Sequence, residues 1–287
     1  MTFLEANPIQ LQNAPGNAAP LFLIHDGGGT IFNYFMLGDL GRSVYGIHDP
    51  KFESDDGWAG GIVEMAQEYI TFIRTVRKKG PIVLGGWSLG GLVSLQIARQ
   101  LDDERRHTEH GTQPLFAAGI ILVDSPYTPP WREYRDRFVN FEPEFPSWTP
   151  QSVRKNVMRR FEVCDELIGN WEPPRWGARV DESGGESTLQ GNGSGQRVRP
   201  VSACPPVVLL KATARVPLPK SRPDGLLNVD INRDDKLLGW ERYGGDLFQT
   251  VHHVFGNHFD LFDQDDRVKA ITNILKDTCA KWERSGF

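Results

Sequence analysis

The sequence predicts an α/β protein with a mostly parallel central sheet and helices on both faces. Short apolar segments rich in Val, Ile and Leu recur along the chain, as expected of strands buried on both faces. Segments with helical periodicity separate them up to residue 125, so strand and helix alternate. A length of 287 residues and a hydrophobic content of 39% suit a single domain, residues 1–287, with a sizeable core.

The predicted elements follow in chain order. Strands are predicted at 9–12 (a short edge strand), 21–25, 43–48, 82–84, 115–123, 206–212 and 248–254. Helices are predicted at 31–40, 61–79, from 89 to about 104, and at 265–282, each with apolar residues at helical spacing. Residues 126–181 interrupt the alternation with two aromatic-rich helical segments and are predicted to be a lid insertion. The glycine-rich stretch 182–197 is predicted to be a disordered loop.

Composition excludes several classes of function. A net charge of −5 provides no basic surface for nucleic acid. No apolar run reaches the ~20 residues of a membrane span, and the N-terminus lacks a signal-peptide profile. The three cysteines, Cys164, Cys204 and Cys279, have no metal-ligand spacing, and their odd number suits a reducing compartment. We therefore expect a cytoplasmic protein that binds neither metal, membrane nor nucleic acid.

A G-x-S-x-G motif at Gly86–Gly90 lies between a predicted strand and a predicted helix. In that context the serine occupies a sharp, strained turn, and the residues two before and two after it must lack bulk. The turn exposes the Ser88 hydroxyl above a helix N-terminus, where developing negative charge is favoured. We therefore predict that Ser88 is a catalytic nucleophile.

A serine nucleophile needs a base to take its proton and an acid to orient that base. His258 follows the last predicted strand in a Gly-Asn-His turn, from which it can reach Ser88, and is the predicted base. Asp124, at the end of the strand after the nucleophile motif, is the favoured acid. Asp230, Asp234 and Asp235, after the next strand, are alternatives that keep the same Ser, Asp, His order.

Two backbone N–H groups are expected to stabilise the negative oxygen formed when Ser88 attacks. The residue after the serine, Leu89, supplies one. The loop after the second strand, His25–Thr30, contains three glycines that allow close backbone approach and supplies the other. Gly27 is the nominated donor, and Gly28 is an equally good alternative.

Five stretches of the chain resemble type I thioesterase domains, which terminate fungal polyketide synthases and nonribosomal peptide synthetases. They are Phe22–Thr30, Val44–Ile47, Gly85–Gly91, Leu122–Pro126 and Gly256–Phe259. The resemblance implies an α/β-hydrolase fold with a helical lid. It also implies an acid in the aspartate-serine turn, which favours Asp124. The implied substrate is an acyl chain on the phosphopantetheine arm of a carrier protein, and the enzyme needs no cofactor of its own.

The same resemblance implies acyl release by hydrolysis, macrolactonisation or Claisen-type cyclisation. The chain contains no recognisable carrier-protein segment, so we expect an acyl carrier protein or a polyketide or peptide synthase to act as partner in trans, whether this is a stand-alone enzyme or an excised domain. Alternative functions are a general carboxylester hydrolase and an inactive hydrolase-fold binding protein. Four basic residues of the second lid helix, Arg154, Lys155, Arg159 and Arg160, are expected to form either an ordinary solvated face or a basic edge that attracts an acidic carrier.

Overall fold

The computed structural model describes residues 6–107, 114–129, 131, 138–139, 141, 143–176, 204–220, 222–244 and 246–286. The predicted first lid helix falls almost entirely outside these residues, and so does the predicted loop 182–197. Those two predictions, and the assignment of residues 1–287 to one domain, stay predictions.

Seven strands form one sheet. They are β1 (Ile9–Gln12), β2 (Leu21–Ile24), β3 (Val44–Ile47), β4 (Gly80–Trp87), β5 (Leu115–Val123), β6 (Val207–Ala212) and β7 (Phe248–Val254). Their order across the sheet is β1-β3-β2-β4-β5-β6-β7. Only β1 is antiparallel to its neighbour; β2 to β7 pair in parallel. The predicted α/β class, the parallel sheet and the edge position of β1 are confirmed.

Four α-helices of the described chain cover the sheet: α1 (Gly61–Val76), α2 (Leu89–His107), α3 (Gln151–Gly169) and α4 (Asp265–Ser285). Apolar residues of α1, α2 and α3 form a core with one face of the sheet, and α4 packs on the other face. Within the described part of the chain, no helix is long and apolar enough to cross a membrane.

The helix expected at 31–40 is a shorter 3-10 helix, Phe32–Met36. Gly38 and Gly41 follow it, and Gly41 has a positive φ of 67° that a helix cannot accommodate. The Tyr34 hydroxyl in this segment donates to the Ile24 carbonyl at 2.7 Å and accepts from the Trp87 N–H at 2.8 Å. It thus joins the ends of β2 and β4, where the two strands diverge.

The register of the parallel strands positions the predicted catalytic residues. Trp87 at the end of β4 pairs with Val123 at the end of β5. The next residue on each strand is Ser88 and Asp124, respectively. Because carboxyl ends of parallel strands lie at one edge of the sheet, both side chains start from neighbouring points on that edge.

Candidate active site

Ser88 occupies a strained turn between β4 and α2. Its φ is 56°, in the left-handed region that residues with a side chain rarely adopt. The flanking glycines make the turn possible: a Cβ at Gly86 would lie 2.5 Å from the Gly90 carbonyl carbon, and one at Gly90 would overlap the carbonyl oxygens of Ile24 and His25. The strained turn and its requirement for small residues agree with the sequence prediction.

Asp124 has the same kind of backbone conformation, with a φ of 47°. Aspartate tolerates this region better than most residues because its short side chain is compatible with a left-handed backbone. The Asp124 N–H donates to the Leu210 carbonyl on β6 at 2.7 Å. The turn therefore holds the carboxylate, which is fully buried, against the end of β6, where it accepts from the Ala212 N–H.

His258 lies in a turn that its neighbours build. Asp260 accepts hydrogen bonds from the N–H of Asn257 at 2.7 Å and from its side-chain amide at 2.8 Å. Arg267 on α4 pairs with the Asp260 carboxylate at 2.7 Å. Gly256, with a φ of 122°, begins the turn. This frame directs the imidazole back across β6 towards β4 and β5.

The three side chains form one hydrogen-bonded chain. The Ser88 hydroxyl donates to His258 Nε2 at 3.0 Å, and His258 Nδ1 donates to Asp124 Oδ2 at 2.8 Å. The carboxylate fixes the proton on Nδ1 and leaves Nε2 free to accept one from serine. Ser88 is partly exposed, whereas His258 is 1% exposed, so only the serine is open to a substrate. This arrangement can perform nucleophilic catalysis.

Of the candidate acids, Asp124 alone contacts His258 among the described residues. Asp234 is exposed and pairs with Arg215 at 2.5 Å, and Asp235 forms an ion pair with Arg242 at 3.4 Å. Asp230 is buried, but its carboxylate accepts from Arg233 and from the Val216 N–H instead. The geometry therefore favours Asp124 over the three alternatives.

Arg233 is the residue that sequence reasoning missed. Its guanidinium binds both oxygens of Asp124, at 2.6 and 2.8 Å, and is 3% exposed. Burial alone would raise the pKa of Asp124, but the His258 hydrogen bond and the Arg233 charge outweigh it and hold that pKa well below its usual range. The charged run Asn232–Asp235 resembles a solvated surface, and no signal in it distinguishes the buried arginine.

Hydrogen bonds in the glycine-rich loop distinguish Gly27 from Gly28 as the candidate oxyanion donor. The Gly28 N–H donates to the Asp26 carboxylate at 2.9 Å, which occupies it. Among the described residues, the Gly27 N–H has no recorded acceptor, and Leu89 begins α2, where an N–H has no intrahelical partner. The geometry favours Gly27 and Leu89 as donors, and their role stays a prediction.

Helix α3 packs directly on this loop and is the second of the predicted lid helices. A Cβ at Gly27 would lie 2.9 Å from Cys164 Sγ, and one at Gly28 would lie 3.2 Å from Val157 Cγ1. Phe161, between them on the helix, contacts both positions and meets Phe259, the residue after His258, edge to face at 6.4 Å. Aromatic and aliphatic side chains thus border the site on its lid side.

The prediction of a basic lid edge is wrong for two of its four residues. Arg160 is 2% exposed and donates to the carbonyls of Ser54 and Asp56. Arg159 pairs with Asp55 and donates to the Phe52 carbonyl at 3.0 Å. Both arginines therefore fasten α3 to the loop after β3.

Three other histidines of the described chain make different contacts or lie at the surface. His25 is buried against Tyr69, with 2.6 Å between Nε2 and the hydroxyl, and His48 contacts backbone carbonyls. His107 is exposed on the last turn of α2, and His110 lies outside the described residues. No described group of His, Cys, Asp and Glu could hold a metal ion. The absence of a cofactor stays a prediction.

The sheet order and the hydrogen-bonded serine, histidine and aspartate at its carboxyl edge define a hydrolase of the α/β-hydrolase fold. Residues 19–137 match the family model of the thioesterase domain. Thioesterase frbE of Dothideomycetidae sp. (strain 11243) is 34% identical, covering 97% of each chain. Thioesterase AMT4 of Alternaria alternata is 30% identical over 96% of this chain and 93% of its own. The chain belongs to the thioesterase family.

Solved structures agree on the fold. The NocB thioesterase domain from the nocardicin cluster superposes with a TM-score of 0.57 and 24% identity, covering 91% of this chain and 95% of that one. The Vlm2 thioesterase domain, solved with a bound dodecadepsipeptide, gives a TM-score of 0.60 at 14% identity, over 95% and 97% of the two chains. At these identities the likeness establishes the shared fold.

Proposed function

We propose that this thioesterase works through an acyl-enzyme on Ser88 and releases a polyketide or peptide acyl chain from the phosphopantetheine thioester of a carrier protein. The observation that carries the proposal is the hydrogen-bonded chain from the Ser88 hydroxyl through His258 to Asp124. This is the geometry in which a base can remove the serine proton while a carboxylate stabilises the resulting imidazolium.

In the first half-reaction, Ser88 Oγ attacks the thioester carbonyl carbon and its proton passes to His258 Nε2. The carbonyl oxygen becomes negative and accepts hydrogen bonds from the N–H groups of Leu89 and Gly27. When this intermediate collapses, the carbon–sulfur bond breaks and the pantetheine sulfur takes the proton from His258. A thiol leaves readily because its pKa, about 8.5, is far below that of an alcohol.

In the second half-reaction, His258 removes a proton from water or from a nucleophile of the acyl chain itself. Attack on the Ser88 ester then gives an acid or a cyclic product, and His258 returns the proton to Ser88 Oγ. The apolar border formed by Val157, Phe161 and Phe259 supports an acyl substrate, since it offers hydrocarbon contact beside the nucleophile.

The carrier-bound substrate is inferred from relatives. Proteins similar to this one over nearly their whole length are thioesterases, and the structural neighbours include domains of peptide-assembling proteins. One such neighbour is part of a four-domain nonribosomal peptide synthetase, of which this chain covers 20%. That likeness supports a carrier protein or a synthase as the partner.

The proposal is tested by mass spectrometry of the protein after reaction with acyl-loaded carrier proteins. Ser88→Ala is expected to keep the fold and lose turnover by roughly 10³-fold or more. Ser94→Ala, on the helix that follows Ser88 and with its hydroxyl bonded to the Gly90 carbonyl, is the matched control and should retain turnover. The trapped acyl group should lie on Ser88.

Three results would contradict the proposal in different ways. An acyl group trapped on another residue would reassign the nucleophile. Faster turnover of simple carboxylic esters than of carrier thioesters would indicate a general carboxylester hydrolase. Failure of a fluorophosphonate to label the folded protein would indicate a hydrolase-fold binding protein without catalysis.

A further inference from the structure

A buried ion network continues beyond the candidate triad. Arg233 donates through both terminal nitrogens to the two oxygens of Asp124, and through Nε to Asp230 Oδ1 at 2.8 Å. It also donates to the carbonyls of Ala212 and Val229, at 3.1 and 3.2 Å. The side chains of all three charged residues are 5% exposed or less. Their charges are therefore poorly screened by water and interact strongly with one another.

We propose that Arg233 is a positioning residue for the acid of the triad and that Asp230 balances its charge. Arg233 holds the plane of the Asp124 carboxylate, while Asp230 cancels the positive charge that Arg233 brings to His258. The inference rests on the proposed roles of Ser88, His258 and Asp124, and it adds two residues that act through them.

Hydrogen bonds from Arg233 fix the orientation of the Asp124 carboxylate. A carboxylate rotates easily about its last side-chain bond, with a broad two-fold preference. Here Oδ1 accepts from Arg233 at 2.6 Å and from the Ala212 N–H at 2.8 Å. Oδ2 accepts from Arg233 and from His258, each at 2.8 Å. The bidentate pair fixes the rotation, so one lone pair of Oδ2 faces His258 Nδ1.

Asp230 determines the net charge that the buried network presents to His258. A triad aspartate assists catalysis because its negative charge stabilises the imidazolium form of histidine. An arginine alone on that aspartate would cancel the charge and remove the benefit. With Asp230 included, two carboxylates and one guanidinium leave one net negative charge beside His258, as in a triad whose aspartate has no cationic partner.

Lys211 on β6 adds a further cation beside this network. It donates to the Asp235 carbonyl at 2.6 Å, and its charge acts on both Arg233 and Asp124. Arg215 pairs with Asp234 at the surface, and it also donates to the Asp230 carbonyl at 3.0 Å. Behind His258, Asp260 pairs with Arg267. These groups stay the same when Arg233 or Asp230 is replaced, so differences between such variants report the charges of Asp124, Arg233 and Asp230.

The test measures the rate at which a fluorophosphonate labels Ser88 as a function of pH. This rate needs no knowledge of the natural substrate, and its acidic limb reports protonation of the base. Four variants are compared with the wild type: Arg233→Gln, Arg233→Lys, Asp230→Asn and the double variant Asp230→Asn/Arg233→Gln. Arg242→Gln is the matched control, because Arg242 lies on the same loop, is half-exposed and does not touch Asp124.

If Asp230 balances the charge of Arg233, replacing either residue alone should shift the acidic limb of the labelling rate, in opposite directions. Arg233→Gln leaves two negative charges near His258, so the acidic limb should move up by roughly one pH unit. Asp230→Asn leaves no net charge, and the limb should move down by a similar amount. The double variant restores one negative charge, so its limb should return to the wild-type position.

If Arg233 also positions Asp124, the maximal labelling rate should respond differently from the acidic limb. The double variant and Arg233→Lys both lack the bidentate hold, so both should label about 10-fold or more slowly at the plateau although their limbs stay near that of the wild type. Arg242→Gln should change neither quantity. Because a merely structural ion pair would alter the stability without moving the limb, the two readouts separate the roles.

Shifts of the same sign, or unmoved limbs with plateau rates within twofold of the wild type in the folded variants, would overturn the inference. Circular dichroism establishes which variants fold. If Arg233→Gln does not, the downward shift of Asp230→Asn and the slow plateau of Arg233→Lys still decide the outcome. Absence of Ser88 labelling in the wild type would instead contradict the proposed function.

Discussion

Ser88 and Asp124 are the two described residues with a side chain that leave neighbouring strands through left-handed backbone, with φ of 56° and 47°. Each such conformation costs on the order of 1 kcal/mol and persists only where the surroundings enforce it. Here the strand register and the glycine contacts enforce it. The strain turns both side chains out of the sheet and towards a common histidine.

Replacing the carboxylate of Asp124 should be far more damaging than replacing that of Asp234. Asp124→Asn removes the charge that stabilises the imidazolium and favours the wrong imidazole tautomer, so kcat should fall by roughly 10⁴-fold. The side chain of Asp234 is 84% exposed, so Asp234→Asn should stay within about twofold. Steady-state kinetics on a carrier-bound thioester would check this, and the reverse pattern would move the acid to the later loop.

Asp26 should make stability depend on pH. Burial raises its pKa to about 6, and hydrogen bonds from backbone N–H groups oppose that rise only in part. The folded state thus holds this proton more tightly than the unfolded state, and stability declines as pH rises from 3.8 through about 6. Asp26→Asn removes the decline, because the amide oxygen can still accept from the Gly28 N–H.

The Asp26→Asn variant is therefore expected to be more stable than the wild type by about 1–2 kcal/mol at pH 7.5 and equally stable near pH 3.5. Urea unfolding at the two pH values measures the difference. A constant difference across the range would mean that the carboxylate does not titrate with folding.

At the scale of single residues, the sequence was sufficient to nominate Ser88, His258 and Asp124, because each follows a buried strand at a recognisable turn. Arg233 was not, since its role depends on a contact across 109 residues of sequence with Asp124. Charged residues on both sides hide it, and a buried guanidinium is recognised only once its partners are in place.

At the scale of elements, α3 and the glycine-rich loop after β2 form one packed unit. Periodicity predicted α3, but it did not indicate that the helix touches Gly27 and Gly28 or that Arg159 and Arg160 turn inward. Amphipathic patterning distinguishes apolar from polar positions, and an arginine can bury its stem and head against carbonyls without altering the pattern.

The contact between α3 and Gly27 gives a test of this unit. Gly27→Ala would place a methyl group 2.9 Å from Cys164 Sγ and 3.3 Å from Phe161 Cδ1, so the loop or helix must shift. We expect kcat to fall by about 10-fold or more, since displacing one oxyanion donor costs 10²–10³. Adding Cys164→Ala removes the sulfur and should recover part of the loss, with a coupling of about 1 kcal/mol.

Kinetics of the two single variants and the double variant on a small free thioester supply the measurement. Cys164→Ala alone reports the effect of the cavity. Strict additivity of the two changes would show that the helix does not determine the position of Gly27.

At the scale of the whole molecule, packing contacts that stabilise the fold lie at one end of the sheet, and the candidate catalytic residues lie at the other. Trp282 on α4 fills the space left by Gly119 on β5, where a Cβ would overlap the indole ring. Its Nε1 donates to Gln249, near the start of β7, at 3.0 Å. Arg42 pairs with the neighbouring Glu283 at 2.9 Å. The side chains of Ser88, Asp124 and His258 all lie at the other, carboxyl, ends of the strands.

Trp282→Ala should therefore cost about 3–5 kcal/mol of unfolding free energy while leaving the folded enzyme active. Urea unfolding gives the first quantity. Turnover per active site, counted by fluorophosphonate labelling, gives the second and should remain within about twofold of the wild type. A large loss of turnover per labelled site would show that the two ends are coupled.

Most of the fold was predictable because parallel strands buried on both faces have a strong local signature. All seven strands and the four α-helices were located to within a few residues. The helix at 31–40 was the main error, since its apolar spacing was correct while the following glycines prevented its extension. The sheet order, and hence the proximity of β7 to β5, depends on tertiary packing that no local pattern encodes.

The guanidinium of Arg233 has a consequence for the evolutionary history of such sites. One carboxylate, Asp124, directly follows β5, the other, Asp230, lies in the connection between β6 and β7, and Arg233 binds both. Asp230, bound to Arg233 and to the Val216 N–H, is not free to replace Asp124 if the latter is lost. A lineage could transfer the acid from one loop to the other only by changing three residues together. The network therefore makes the present assignment of the acid difficult to reverse by single substitutions.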